Sequence, residues 1–286
     1  MQGETDPSSR NDSKLTLNSI AEIITTLVHG GCVCVPSAAE RTGNLASAMT
    51  RMKVNWAFFT TSFLYTLSTE SLPHLRTVVV GGEPISAEIF ETWADKVCLI
   101  EGYGPAECCI YSTAAVNVKP SDSPTNIGRA TSGNCWIVDP QDHNQLASIG
   151  SVGELLVEAP TLARGYLNEP TKTAAVFIEN PTWATPTSST PRRMYKTGDL
   201  VKYNPDGTLE FVGRKDTQVK LRGQRVELTL IEHHVRKVLP ELVHVAVEIV
   251  TMASDKVSPL ISFSLHFTNC QLRFPGTIAR CLFGVQ

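Results

Sequence analysis

Four short stretches hold residue types that could grip a nucleotide. Residues 101–107, Glu-Gly-Tyr-Gly-Pro-Ala-Glu, set an aromatic ring between two glycines and end on a carboxylate. Gly102 and Gly104 leave the face of Tyr103 open for stacking, and Glu107 offers a hard oxygen ligand to a divalent cation. Residues 195–200, Tyr-Lys-Thr-Gly-Asp-Leu, present Asp199, whose two oxygens can accept from two vicinal hydroxyls. Residues 213–227, GRKDTQVKLRGQRVE, carry Arg214, Asp216 and the turn glycine Gly223. Gly81-Gly82-Glu83-Pro84 follow an apolar run, where backbone without side chains can approach a flat ligand. Each stretch also has an ordinary reading in isolation. Strand-end glycines are usually turns, a lone Thr-Gly-Asp is commonly a turn aspartate, and Arg214 could be half of a surface ion pair worth little.

The elements that would position these residues alternate. Helical spacing at Ile20, Ile23, Ile24 and Leu27 is followed by a glycine pair and the apolar run 32–35, which reads as helix, stop, strand. Strands are expected at 54–59, 77–80 and 97–100, with helices at 62–67 and 86–96. Such alternation implies a parallel sheet covered on both faces. From Cys135 onward short strands replace it, at 135–139, 153–158 and 200–213, the last folded at Asn204-Pro205-Asp206-Gly207. An antiparallel lobe is expected there. Residues 183–193, rich in proline, serine and threonine, read as an exposed loop. A strand at 219–221, a helix bearing Leu228, Ile231, Val235, Val238 and Leu239, and a strand at 243–250 resemble the opening of a small further domain. Residues from about 262 show no clean periodicity.

Composition narrows the function. Among 286 residues, 42% hydrophobic and 19% charged is ordinary globular material, and the net charge of -3 is too small for a nucleic-acid or anionic-membrane binder. No window reaches the roughly 18 apolar residues of a membrane helix, and residues 1–18 are unlike a secretion signal, so the cytosol is the expected compartment. The eight cysteines (Cys32, Cys34, Cys98, Cys108, Cys109, Cys135, Cys270 and Cys281) are dispersed, which predicts mostly buried thiols rather than a disulfide framework. In an apolar strand Cys32 and Cys34 would point the same way into packing, and no second pair follows at zinc spacing.

With YGPAE at 103–107, YKTGDL at 195–200 and GRKDTQVKLRGQRVE at 213–227 in this order, the chain resembles the adenylation domains of nonribosomal peptide synthetases. The likeness runs from about residue 19 to about 259. It implies an α/β chain with part of the adenylate-forming fold: a parallel α/β region plus an antiparallel β lobe, then the start of a small α+β C-terminal domain. The implied division is a loose lead-in at 1–18, the second half of the large AMP-binding domain at 19–216, a truncated small domain at 217–261, and a tail without family pattern at 262–286. By resemblance the cofactors are ATP, Mg²⁺ and the phosphopantetheine of a partner carrier domain. Gly81, Gly82, Glu83, Pro84, Gly102, Tyr103, Gly104, Ala106, Asp199 and Arg214 would line the nucleotide site, with Tyr103 on adenine, Asp199 on the ribose hydroxyls and Glu107 on Mg²⁺. Ala106 stands where the family usually has threonine. Asp216 matches the hinge of the small domain, and Gly223 the loop that faces the carrier's arm.

The resemblance also places a substrate pocket at Leu17, Asn18, Ala21, Phe58, Val79, Gly81, Gly102, Ile110 and Tyr111. Leu17 stands where the family usually carries the aspartate that pairs with a substrate ammonium, which disfavours a standard α-amino acid, since a buried unpaired ammonium costs several kcal/mol. The expected partners are peptidyl carrier and condensation domains and a small carboxylic or amino acid, in secondary metabolite biosynthesis. Neither the family's phosphate loop, expected before residue 19, nor its catalytic lysine, expected late in the small domain, occurs in these residues. Thr229 and Leu230 replace the family's glycine and glutamate, and Lys256 matches nothing. The isolated chain is therefore expected to be an inactive, poorly soluble fragment of a ligase, the alternative being a nucleotide-binding or protein-interaction remnant without catalysis.

Overall fold

The computed structural model describes residues 17–185, 191–216, 218–221, 224–238, 242–252, 255–267 and 279–283. Helix α1 (Leu17–Val28) is followed by α2 (Ala38–Gly43) and α3 (Leu45–Arg51). A capping box starts α2: the Glu40 amide donates to Ser37 Oγ at 3.3 Å and the Ser37 amide to Glu40 Oε2 at 2.9 Å. Strand β1 (Trp56–Phe59), helix α4 (Thr61–Leu64), strand β2 (Thr77–Gly81), helix α5 (Ala87–Trp93) and strand β3 (Cys98–Tyr103) then give the expected alternation. These three strands pair in parallel, with Phe58 beside Val79 and Gly81 beside Gly102. Val78, Val80 and Leu99 bury one face against Ile89, Phe90 and Trp93 of α5. Each large side chain sealed there contributes about 1.5–3 kcal/mol.

The sheet then changes direction. Strand β4 (Thr113–Val116) runs antiparallel to β3, and β5 (Asn126–Ala130) antiparallel to β4. After them come β6 (Asn134–Val138), β7 (Gly153–Glu158), α6 (Pro170–Val176), β8 (Phe177–Glu179), β9 (Arg193–Tyr203) and β10 (Leu209–Arg214). Ladder hydrogen bonds run continuously in the order β1-β2-β3-β4-β5-β10-β9-β7-β6, with β8 on β9. The antiparallel lobe is thus present, and its β9–β10 turn closes at the expected place, with the Gly207 amide donating to the Asn204 carbonyl at 2.9 Å. β7 is buried nearly throughout because β6 and β9 flank it.

Beyond residue 216 lie the hairpin β11 (Gln218–Leu221) and β12 (Gln224–Glu227), helix α7 (Leu228–Val238), and an antiparallel sheet of β13 (Leu242–Met252), β14 (Asp255–Phe267) and β15 (Ala279–Phe283). The Val247 amide donates to Glu232 Oε1 at 3.1 Å, tying β13 to α7. Residues 262–267 and 279–283, read as patternless, are therefore strand. Among the described residues no helix is long and apolar enough to cross a membrane.

Three further expectations need correction. The run 32–35 is not a strand: it pairs with no strand among the described residues, although β1 ends the sheet, and Val35 is 78% exposed. The helix expected over 62–67 shrinks to one turn, α4, and that over 86–96 to α5. Of the six cysteines whose surroundings are described, all free, only Cys108 is buried, while Cys32 and Cys109 are exposed. Without a strand at 32–35, nothing turns Cys32 inward.

Candidate functional site

Three strand positions converge on one carboxylate. A register shift between Phe211 and Gly213 brings Arg214, at the end of β10, opposite Asp199 on β9. Asp199 is only 7% exposed. Its Oδ1 accepts from Arg214 Nη1 at 2.8 Å, and its Oδ2 accepts from the hydroxyl of Tyr103 at the end of β3. Arg214 Nη1 also donates to the Thr197 carbonyl at 2.9 Å, while Nε and Nη2 donate to Asp216 at 2.9 and 2.6 Å. The hydroxyl of Thr197 accepts the Asp199 amide at 3.0 Å and donates to the Leu155 carbonyl at 2.9 Å. Gly198 lies between them at φ +71°, where a Cβ would sit 2.9 Å from Arg214 Nη2. Glycine takes that turn without strain.

Electrostatics keep the Tyr103 phenol neutral and the Arg214 guanidinium charged. Burial, and then the charge of Asp199, push the Tyr103 phenol well above its usual range, so it donates and stays neutral. Burial works against the Arg214 charge, but Asp216 and Asp199 outweigh it and hold the guanidinium protonated. Tyr103, Asp199, Arg214 and Asp216, singled out from separate motifs, are thus in one hydrogen-bonded unit. Glu107, on a short 3-10 helix at Ala106–Cys108, is 8% exposed and accepts from the Tyr166 hydroxyl at 2.7 Å. Its carboxylate chemistry suits Mg²⁺. Ala106 is exposed at the start of that 3-10 helix, and Pro84 is exposed in the loop after β2.

The glycines do two different things. A Cβ on Gly81 would lie 2.3 Å from the Gly102 carbonyl oxygen, and one on Gly104 would lie 2.1 Å from the Ile110 carbonyl oxygen. Both positions are glycine for backbone packing, whatever else approaches them. Gly82, at φ +82°, faces open space. Glu83 binds the start of α4, taking the Ser62 amide at 2.7 Å and the Ser62 hydroxyl at 3.0 Å. That is a structural task for a residue expected at the nucleotide.

Of the expected pocket residues, Phe58, Val79, Gly81, Gly102 and Tyr111 come together on the face of β1–β3 turned away from α5. Phe58 and Tyr111 have ring centroids 6.4 Å apart, and a Cβ on Gly102 would meet the Tyr111 ring at 2.7 Å and Val79 at 3.5 Å. Cys109 and Ile110 both take left-handed backbone, φ +60° and +83°, a strained choice for a β-branched residue of about 1–3 kcal/mol. Ala21 is half-buried on α1; the side chains of Leu17 and Asn18, and the whole of Gly223, lie outside the described residues.

Sequence reasoning missed three acids. Glu22 on α1 accepts from the Phe58 amide at 3.4 Å, and burial raises its carboxyl. Burial, then the charge of Glu22, also raises the Tyr111 phenol. Glu101, one residue before Gly102, is 7% exposed, its Oε2 has no hydrogen-bond partner among the described residues, and burial pushes it up to about 8. Glu154 on β7 is 3% exposed. The available signal was an acid inside an apolar run, as in Cys-Leu-Ile-Glu and Gly-Glu-Leu-Leu.

The geometry has counterparts in known proteins. The family model described as AMP-binding enzyme matches residues 16–167, just over half of the chain. The chain belongs to the AMP-binding enzyme family. Among the relatives of this AMP-binding chain, N-benzoylphenylalaninol synthetase apmA of Penicillium brevicompactum is 55% identical over 216 residues, 76% of the chain and 9% of that protein. Nonribosomal peptide synthetase atnA of Emericella nidulans is 49% identical over 238 residues, 83% of the chain and 3% of that protein. The chain thus spans a small part of the curated relatives it matches. Among solved structures, PA1221, a protein containing adenylation and PCP domains, superposes with TM-score 0.72 at 26% identity, covering 87% of this chain and 50% of its own. The Vibrio cholerae adenylation domain AlmE, solved with glycyl-adenosine-5'-phosphate, gives TM-score 0.68 at 28% identity, covering 86% and 47%. The partial adenylate-forming fold is thereby established.

Proposed function

We propose that this chain supplies the AMP-holding part of a nonribosomal peptide synthetase adenylation domain, which activates a carboxylic or amino acid with ATP and passes it to a carrier-bound phosphopantetheine thiol. The observation that carries this reading is the Tyr103–Asp199–Arg214 unit. It is a buried carboxylate held by a neutral phenol and a fixed cation. Asp199 would accept from the ribose hydroxyls, Tyr103 would lie against adenine, and Arg214 would lend positive charge toward the phosphate. Such groups lower the barrier to attack on phosphorus chiefly by being in place beforehand. Mg²⁺, held by Glu107, would neutralise phosphate charge. The relatives' names and the carrier domain in PA1221 support the synthetase assignment and the carrier as partner.

Calorimetric titration of the purified chain with AMP tests it. AMP should bind, and Asp199→Asn should weaken binding by about tenfold, the worth of one charge-assisted hydrogen bond. Equal affinity in both proteins, or no binding by the wild type, would refute the reading.

A further inference from the structure

One buried carboxylate ties together the two segments that build the ribose site, and nothing in the AMP-holding unit itself uses it. Glu154 lies on β7, with its side chain 4% exposed. Its Oε1 accepts from the Gly198 amide at 3.3 Å, immediately before Asp199. Its Oε2 accepts from Lys215 Nζ at 3.1 Å, between Arg214 and Asp216. Lys215 Nζ also donates to the Pro140 carbonyl, and the Lys215 amide donates to the Gly198 carbonyl at 2.8 Å. The 198–199 turn and the 214–216 segment are thus both fastened to the same side chain on a third, fully enclosed strand.

Stability alone does not call for an acid there. Its neighbours Leu155 and Leu156 are fully buried, and a buried ion pair commonly stabilises no better than apolar packing of the same volume. What the carboxylate offers is direction: two acceptor oxygens fix two donors at a set separation. We propose that Glu154, acting through Lys215 and Gly198, is a positioning residue that sets Asp199 relative to Arg214 for the ribose hydroxyls and keeps residues 214–215 fixed to the large lobe, so that any swing at Asp216 begins after them. This rests on the reading of Asp199 as the ribose acceptor. Gln at 154 would keep the shape, yet its single carbonyl oxygen can serve only one of the two donors.

The test is ribose selectivity, measured by titrating the full chain with AMP and with 2′,3′-dideoxy-AMP and taking the ratio of dissociation constants. The wild type should prefer AMP by about tenfold or more. Glu154→Gln and Lys215→Ala should each cut that preference by about threefold or more, and Lys215→Arg should restore most of it; a role confined to stability would shift melting and leave the ratio alone. Lys215 has a partly exposed side chain, so its variants decide the matter should Glu154→Gln fail to fold. Variants that keep the wild-type ratio within about twofold overturn the proposal. A wild type without preference instead removes Asp199 from the ribose, and this inference falls with it.

Discussion

Asp199 on β9 and Glu101 on β3 belong to one sheet and are both almost fully buried, yet they differ in what surrounds their oxygens. Each oxygen of Asp199 accepts from a donor, Tyr103 on one side and Arg214 on the other. Glu101 has an oxygen without a partner among the described residues, and its carboxyl rises from 4.5 to about 8. Folded Glu101 therefore keeps its proton between those values while the unfolded chain loses it. Stability from this group is whole below pH 4.5 and falls as pH rises toward 8, with a slope approaching 1.4 kcal/mol per unit. Chemical denaturation from pH 5 to 8 should show that decline in the wild type, and Glu101→Gln should flatten it; parallel curves would contradict the assignment. Asp199, Tyr103 and Arg214 could be singled out in the sequence because three motifs stand in the order that the resemblance to adenylation domains leads one to expect, and the fold joins them by hydrogen bonds. Glu101 and Glu154 were not, since each is embedded in an apolar strand whose pattern announces only burial.

Strands and the turns between them explain where sequence reasoning succeeds and where it stops. Apolar runs at 77–80 and 153–158 became β2 and β7 because strands lie on either side of each. The equally apolar run at 32–35 did not join the sheet, which shows that apolar pattern alone does not settle pairing. The reverse occurred at 262–267 and 279–283, where mixed polar sequence pairs as β14 and β15 through backbone bonds that no side-chain pattern reveals. The segment joining β3 to β4 depends on Gly104, whose missing Cβ makes room for the carbonyl of strained Ile110. Gly104→Ala should therefore cost about 2–3 kcal/mol, as overpacking against backbone does. Thermal melting would reveal it as a clear loss, and an unchanged midpoint would mean that the turn yields easily.

At the scale of the molecule, the fold class and the split between parallel and antiparallel regions could be read in advance; the uncovered surface could only be suspected. Ile24, Leu27 and Val28 on α1 are 55%, 56% and 76% exposed. Apolar surface of this kind drives association. Light scattering on the purified chain should find self-association, and Leu27→Lys with Val28→Lys should shift it toward monomer; a monomeric wild type would show that the surface is harmless. Photolabelling with 8-azido-AMP followed by peptide mapping would locate the bound nucleotide. Label should appear in the segment bearing Tyr103 and be suppressed by excess AMP. Label spread over the surface, or placed elsewhere and indifferent to AMP, would contradict the AMP-holding role.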